Sequence, residues 1–431
     1  MITHPGKEKD TDTASLSETT QGKTGHPMLL SVPLLAALKN AGTSHIYADT
    51  ADSEELRELL EVERGALLEE IDGNTINQPL VTPVLKRYLN ENLPTWMEVE
   101  GKDKSGSREL LPTLYSWLLG KIGQDIVHAF ASGREWDISL QLHMRVISDL
   151  KTAKELGRWL HRFVPGVLVK VPLTPHEPEC FLMARDFEKE SIPVNFTSTF
   201  SARQAVAAAL LGNVTRTNIF MGRLDQGLQA GRVGAHVALE AQRMLKKLRK
   251  SAGSKTQLIV ASMRNWQSFI LTAGCDVYTA PCKVLRAYLE QREVSLDSIT
   301  SQLDTSYEDG LDISDETMAK MGAERIARLY HVESEFVEFL LEYRQTTEYR
   351  NLEKPDALVR RFEEAGFKDF FYTPTSKEWK ELRRGKLPDL DAQITKQLAL
   401  DTLFTLHADA DFEEHQEEID RQVARHLTEK I

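Results

Sequence analysis

Pro165-Gly166-Val167-Leu168-Val169-Lys170-Val171-Pro172-Leu173 decides how the chain is read. Seven of these nine residues are apolar or proline, turn formers bound the run, and valine fills every second position from 167 to 171. A short apolar run of this kind reads as a strand buried on both faces, the type found in parallel sheets. Lys170 stands in its middle. Burying an unpaired ammonium costs several kcal/mol, so the lysine needs a reason. Either it lies at a strand end and snorkels to water, or burial lowers its pKa and leaves a neutral amine able to attack a carbonyl.

The same rhythm repeats on both sides of this strand. A short helix over 29–41 leads into His45–Ala51, a strand carrying Asp49 near its end, and a helix opens with Ser53 as N-cap. A second strand spans about 70–75, and a helical insert spans about 82–133 with a polar break at 101–107. Ile138–Val146 reads as strand three and 149–163 as its helix. After the Lys170 strand, helices over about 178–190, 201–212 (capped by Ser201), 230–250, 264–273 and 282–293 alternate with strands at 192–196, 214–220, 258–261 and 276–280. Eight strand-then-helix units without a hairpin signal imply a parallel sheet. Eight repeats over about 250 residues predict an α/β fold, a closed (β/α)8 TIM barrel. The alternative is an open doubly wound sheet, which the lack of G-x-G-x-x-G and P-loop runs disfavours.

Beyond residue 295 the pattern is helical without strands, an additional all-helical C-terminal region. The expected organisation is a disordered tail over 1–28, the barrel over 29–295, a helical part packing on it over 296–389, and an acidic helical extension over 390–431. Asp315–Arg344 reads as one periodic helical stretch, and Asp409–Asp420 as a solvated acidic face. Asp409 and Asp411 lack the glycine that a calcium-binding EF-hand loop needs.

Composition narrows the function. A net charge of -12 disfavours nucleic acid and gives no support to anionic membranes. No apolar run reaches the about 18 residues that a membrane span needs. Three cysteines, Cys180, Cys275 and Cys282, form neither a disulfide framework nor a zinc pattern, which fits a reducing cytoplasm.

In a barrel of this kind functional groups sit at the C-terminal ends of strands. Here the strands offer, in order, Asp49, Asn77, Gln141, Lys170, Asn195 with Thr197, Asn218 with Phe220 and Arg223, and Ser262 with Arg264. Polar groups directly after seven apolar runs point to a shared site. Single members have plainer readings: Arg223 could pair with Asp225, Ser262 could cap the helix of Arg264, and Asn77 could form a turn.

The runs Tyr47-Ala48-Asp49-Thr50-Ala51, Asn74-Thr75-Ile76-Asn77-Gln78-Pro79-Leu80, Val169-Lys170-Val171-Pro172, Val194-Asn195-Phe196-Thr197-Ser198-Thr199-Phe200-Ser201, Phe220-Met221-Gly222-Arg223 and Ala261-Ser262-Met263-Arg264-Asn265 resemble the successive motifs of the transaldolase family over about residues 30–295. That resemblance implies class I Schiff-base chemistry on sugar phosphates such as sedoheptulose 7-phosphate or fructose 6-phosphate, in the pentose phosphate pathway. Lys170 would attack the ketose C2 carbonyl. Asp49 would take the C4 hydroxyl proton, and an aldose phosphate would leave. The dihydroxyacetone unit would then pass to a second aldose phosphate. Asn77 and Asn195 would hold its hydroxyls, and Arg223, Arg264 and Ser262 the phosphate, which suits planar guanidinium donors. Thr197 would partner the catalytic water. No metal or organic cofactor is implied, because the protonated imine is the electron sink. A homodimer is a possible assembly.

Three positions depart from the family pattern. Gln141 stands where transaldolases carry Glu and resembles the fructose-6-phosphate aldolase branch; an amide cannot move a proton as a carboxylate does. Phe220, by contrast, is the transaldolase choice. Asn218 replaces a usual Ser, and Ile76-Asn77-Gln78-Pro79 replaces Thr-Asn-Pro-Ser, both near the C1 end of the donor. The alternatives are therefore an aldolase releasing free dihydroxyacetone, or a weakly catalytic relative acting as a binding protein.

Overall fold

The computed structural model describes residues 32–61, 67–99, 110–131 and 133–430. The tail expected over 1–28 and the polar break at 101–107 lie outside these residues. Eight parallel strands close on themselves in sequence order: β1 (His45–Asp49), β2 (Gly73–Ile76), β3 (Asp137–Gln141), β4 (Val167–Pro172), β5 (Val194–Thr197), β6 (Arg216–Phe220), β7 (Gln257–Ala261) and β8 (Val277–Ala280). β8 pairs back onto β1, with His45 opposite Val277. The open-sheet alternative is thereby excluded.

The interleaved helices are α1 (Val32–Asn40), α2 (Ser53–Leu60), α3 (Gln78–Val99), α4 (Leu110–Phe130), α5 (Leu150–Phe163), α6 (Glu179–Lys189), α7 (Ala202–Ala207), α8 (Met221–Gly227), α9 (Val233–Ala252), α10 (Gln267–Leu271) and α11 (Cys282–Leu289). Local chemistry corrects several expected boundaries. Asp52, not Ser53, caps α2 by accepting from the Glu54 amide. Strand three stops at Gln141, because the His143 ring caps a 3-10 turn over Met144–Val146. The Ser201 cap is as expected, but α7 passes into a π-helical turn over Ala208–Gly212 that ends on left-handed Asn213.

Between α11 and the last helix lie α12 (Asp315–Met321), α13 (Ala323–Ala327), α14 (Ser334–Tyr343), α15 (Thr347–Arg350), α16 (Pro355–Glu364), α17 (Ser376–Leu382) and α18 (Gln393–Gln397). The single stretch expected over 315–344 is three helices, broken at Gly322, whose φ is +80°, and again over 328–333. Phe336, Phe362 and Phe370 pack together and meet Phe181 of α6, which fastens this part to the barrel wall.

α19 (Leu400–Lys430) has 31 residues and, at about 1.5 Å per residue, is about 46 Å long. It crosses the strand C-terminal ends. Phe404 lies 5.5 Å from the Phe200 ring, centre to centre, and Thr405 donates to the Ser198 carbonyl at 3.0 Å. Farther along, Gln78 donates to Gln416 at 3.3 Å, and Asp420 sits 3.0 Å from His143 and 3.1 Å from Arg145. Asp401, Asp409, Asp411 and Asp420 are all buried. The solvated acidic face expected here is instead the underside of a helix lying over the barrel mouth.

Gly227 makes room for that helix. A methyl group there would stand 2.6 Å from Cζ of Phe404. Gly227→Ala is expected to destabilise the protein by about 1–3 kcal/mol, the usual cost of overpacking. Thermal unfolding checks this, and shortening Phe404 to Leu in the same chain should recover part of the loss.

Candidate active site

β4 is buried along all six of its residues, and Lys170 is 2% exposed. It lies inside the strand, so the snorkelling reading fails. Burial pushes its ammonium down to about 8, against the pull of the Asp49 carboxylate. A neutral amine is therefore accessible near physiological pH.

The strand register sets its neighbours. Gln141 of β3 and Asn195 of β5 are the pairing partners of Lys170 on either side. Asn195 donates to Ser139 at 2.9 Å, leaving its own carbonyl oxygen free. Gln141 Oε1, Asn195 Oδ1, Thr197 Oγ1, Ser198 Oγ and Asn218 Oδ1 are buried and have no hydrogen-bond partner among the described residues. Buried polar atoms are normally paired. Five unsatisfied atoms on β3, β5, β6 and the residue after β5, on both sides of the Lys170 strand, mark a place that a hydroxyl-rich ligand would complete. The residues that turn out of β5 and β7, Ser198 and Ser262, hold left-handed φ values of +65° and +62°. Such backbone conformations cluster at functional sites.

Asp49, at the end of β1, is half-buried and accepts from Thr75 at 2.6 Å; Thr75 in turn lies 2.6 Å from Thr279. This hydroxyl chain fixes the carboxylate below the mouth. Deeper in the barrel Tyr47, Asp137 and Arg216 form a polar layer that closes the floor. Asn77 follows β2, where its side chain accepts from the Leu80 amide at 3.3 Å. The turn-former reading is met, with the amide nitrogen still able to donate.

Phe220 ends β6 and packs edge-on against Phe200 at 5.4 Å. Arg223 follows in α8. A side chain on Gly222 would overlap the Ser262 carbonyl, so only glycine lets this turn approach the end of β7. Arg223 is 9% exposed and donates through Nη2 to Asp411 of α19 at 2.9 Å. It does not pair with Asp225, which instead accepts from the Gly234 amide. Ser262 is not the helix cap either, since Asn265 accepts from the Ser268 amide. Arg264 stays at the exposed rim and donates to Gln226 at 3.2 Å.

Sequence reasoning missed the contributors from α19, Asp411 above all, and also missed His143. The His143 ring is fully buried, with Nδ1 accepting from the Arg145 amide, so its proton sits on Nε2 toward Asp420. One signal was available: Leu403, Phe404, Ala408, Phe412, Ile419 and Val423 keep a helical apolar spacing through the acidic run.

A profile of the transaldolase/fructose-6-phosphate aldolase family matches residues 46–331. A probable transaldolase of Carboxydothermus hydrogenoformans is 28% identical over 242 residues, which cover 56% of this chain and 87% of the relative. A probable transaldolase of Agathobacter rectalis is 31% identical over 173 residues, covering 39% of this chain and 74% of the relative. Among solved structures, dihydrodipicolinate synthase from Agrobacterium tumefaciens aligns with 86% of this chain and 99% of its own, at 12% identity and a TM-score of 0.31.

Proposed function

Because the chain belongs to the transaldolase/fructose-6-phosphate aldolase family, we propose that it moves a three-carbon dihydroxyacetone unit from a ketose to an aldose through a Schiff base on Lys170. One observation carries this reading: an enclosed lysine, held down to about 8 by burial, lies beside buried oxygens that lack partners among the described residues. The neutral Nζ attacks the C2 carbonyl, and loss of water gives the iminium. Asp49 takes the C4 hydroxyl proton, the C3–C4 bond breaks, and the aldose leaves. The electron pair rests in the enamine on Lys170 until it adds to a second aldehyde. Asn195, Asn218 and Gln141 offer acceptors to the hydroxyls and the C1 end of that unit. Hydrolysis of the new imine frees Lys170.

Borohydride treatment in the presence of a ketose, followed by intact-mass analysis, tests the assignment. A reduced adduct mapped to Lys170, absent from Lys170→Ala, is expected. No adduct with any ketose tried, or an adduct on another lysine, removes the reading. The pH profile gives a second check. Below about 8 the amine is protonated in the free protein, so kcat/KM should rise tenfold per pH unit up to that value and then level off. A profile flat between pH 6 and 9 would contradict it.

The aldolase reading rests on Gln141, whose Nε2 points at the Met144 sulfur at 3.7 Å and whose oxygen is free. A ketose supplied without an acceptor separates the two. One equivalent of aldose released means transfer; sustained turnover means release of free dihydroxyacetone.

A further inference from the structure

The resemblance to transaldolases assigns Arg223 to a substrate phosphate, but in this chain the guanidinium is already engaged. Asp411, 5% exposed, holds Arg223 Nη2 at 2.9 Å. Lys386 and His415 stand 3.6 and 3.8 Å from the other Asp411 oxygen. Asp409, two residues earlier on the same helix, is buried as well, and burial raises its carboxyl well above the usual range. His407 nearby is held neutral by burial, at about 4. Cationic charge is left at the rim, on exposed Arg264 and on Lys386.

Asp411 is also fixed in place. Upstream on the same helix, Asp401 is clamped by Arg203 at 2.6 and 2.8 Å and by Ser201 at 2.7 Å. Downstream, Gln416 and Asp420 are tied to Gln78 and His143. Withdrawing the carboxylate therefore means breaking several buried polar contacts at once. What remains open beside it is Arg223 Nη1, a buried donor with no partner among the described residues. A free guanidinium N–H next to a carboxylate oxygen matches a group that both accepts and donates. A hydroxyl does both, whereas a phosphate dianion only accepts and would lie against a buried negative charge.

We infer that Asp411 sets the specificity of this site, and that the substrate terminus lodged at Arg223 is the hydroxyl of an unphosphorylated polyol chain. The inference rests on the Lys170 reading above and replaces sugar phosphates with free sugars as the substrate class.

Paired borohydride trapping with D-fructose and fructose 6-phosphate tests it. The wild type should trap fructose at least tenfold faster at equal concentration. Asp411→Asn keeps the shape of the helix but removes the charge, and should shift the ratio at least tenfold toward the phosphate ester. A wild type that prefers the phosphate ester overturns the inference. So does a ratio that Asp411→Asn, with a wild-type circular dichroism spectrum, leaves unmoved. Titration of the wild type with inorganic phosphate by calorimetry needs no catalysis. Heat that saturates below about 1 mM and is lost in Arg223→Gln overturns the inference, and absence of binding supports it. If neither sugar gives an adduct, the Schiff-base reading fails, while the phosphate titration still decides what Arg223 accepts.

Discussion

Lys170→Met is expected to abolish turnover and, at neutral pH, to make the protein more stable. The two effects have one cause. In the unfolded chain the amine has its ordinary value of 10.5, and in the folded protein burial brings it to about 8. Between those values the unfolded state binds more protons, so stability rises with pH across that window. Below about 8 the folded protein carries the whole penalty of a charged amine in an apolar strand. At 1.36 kcal/mol per pKa unit this is about 3 kcal/mol. Above 10.5 the penalty is gone. Methionine fills similar space without a charge, so the variant should gain up to about 3 kcal/mol at pH 7 and little at pH 10.5. Urea unfolding at both pH values reads this directly. A variant no more stable than wild type at pH 7 would show that the lysine is better solvated than its surroundings imply. Loss of activity should be about 10^4-fold or more, as for removal of other covalent nucleophiles.

Asp401→Ala is expected to be among the most damaging single changes in the C-terminal half. Arg203 is buried and donates to both Asp401 oxygens, while a third guanidinium nitrogen reaches Asp369 at 3.0 Å. Burial works against the Asp401 charge, but Arg203 and the hydroxyl of Ser201 prevail and hold its carboxyl below the usual range. Removing it leaves a buried cation whose remaining ionic partner among the described residues is half-exposed Asp369. Breaking one side of such a pair costs about 3–5 kcal/mol. Replacing both partners, as in Arg203→Met with Asp401→Leu, should recover most of that loss, because a well-packed apolar pair is often as stable as a buried ion pair. Melting temperatures of the single and double variants decide it. A double variant no better than Asp401→Ala would mean that the ion pair sets the position of α19 and is not merely tolerated. Activity separates these further, since the double variant can be stable and still misplace Asp411.

The barrel was legible because strand periodicity and the polar residue that follows each strand are local properties. Asp49, Gln141, Lys170 and Asn195 could be placed by reading outward from one strand. What escaped was everything that depends on a distant partner. Asp411 and Asp420 look like surface acids until Arg223 and His143 are brought beneath them, and nothing near them in the chain announces those partners. The third strand was read too long because Met144 and Val146 continue the apolar alternation past Gln141 while the His143 ring turns the backbone. The 315–344 stretch was read as one helix because apolar spacing persists across Gly322, where the backbone cannot follow it.

The lid over the barrel also has a consequence in time. Arg203 waits 198 residues for Asp401, Arg223 waits 188 for Asp411, and His143 waits 277 for Asp420. At a synthesis rate of about 5–20 residues per second, a nascent chain spends from about ten seconds to about a minute with each of these partners still unmade. A barrel assembled during that interval exposes its guanidinium groups and the rings of Phe200 and Phe220 at its mouth to whatever anions and apolar surfaces the ribosome's surroundings supply. The helix that shapes the mouth is thus also the step at which a translating chain buries these groups.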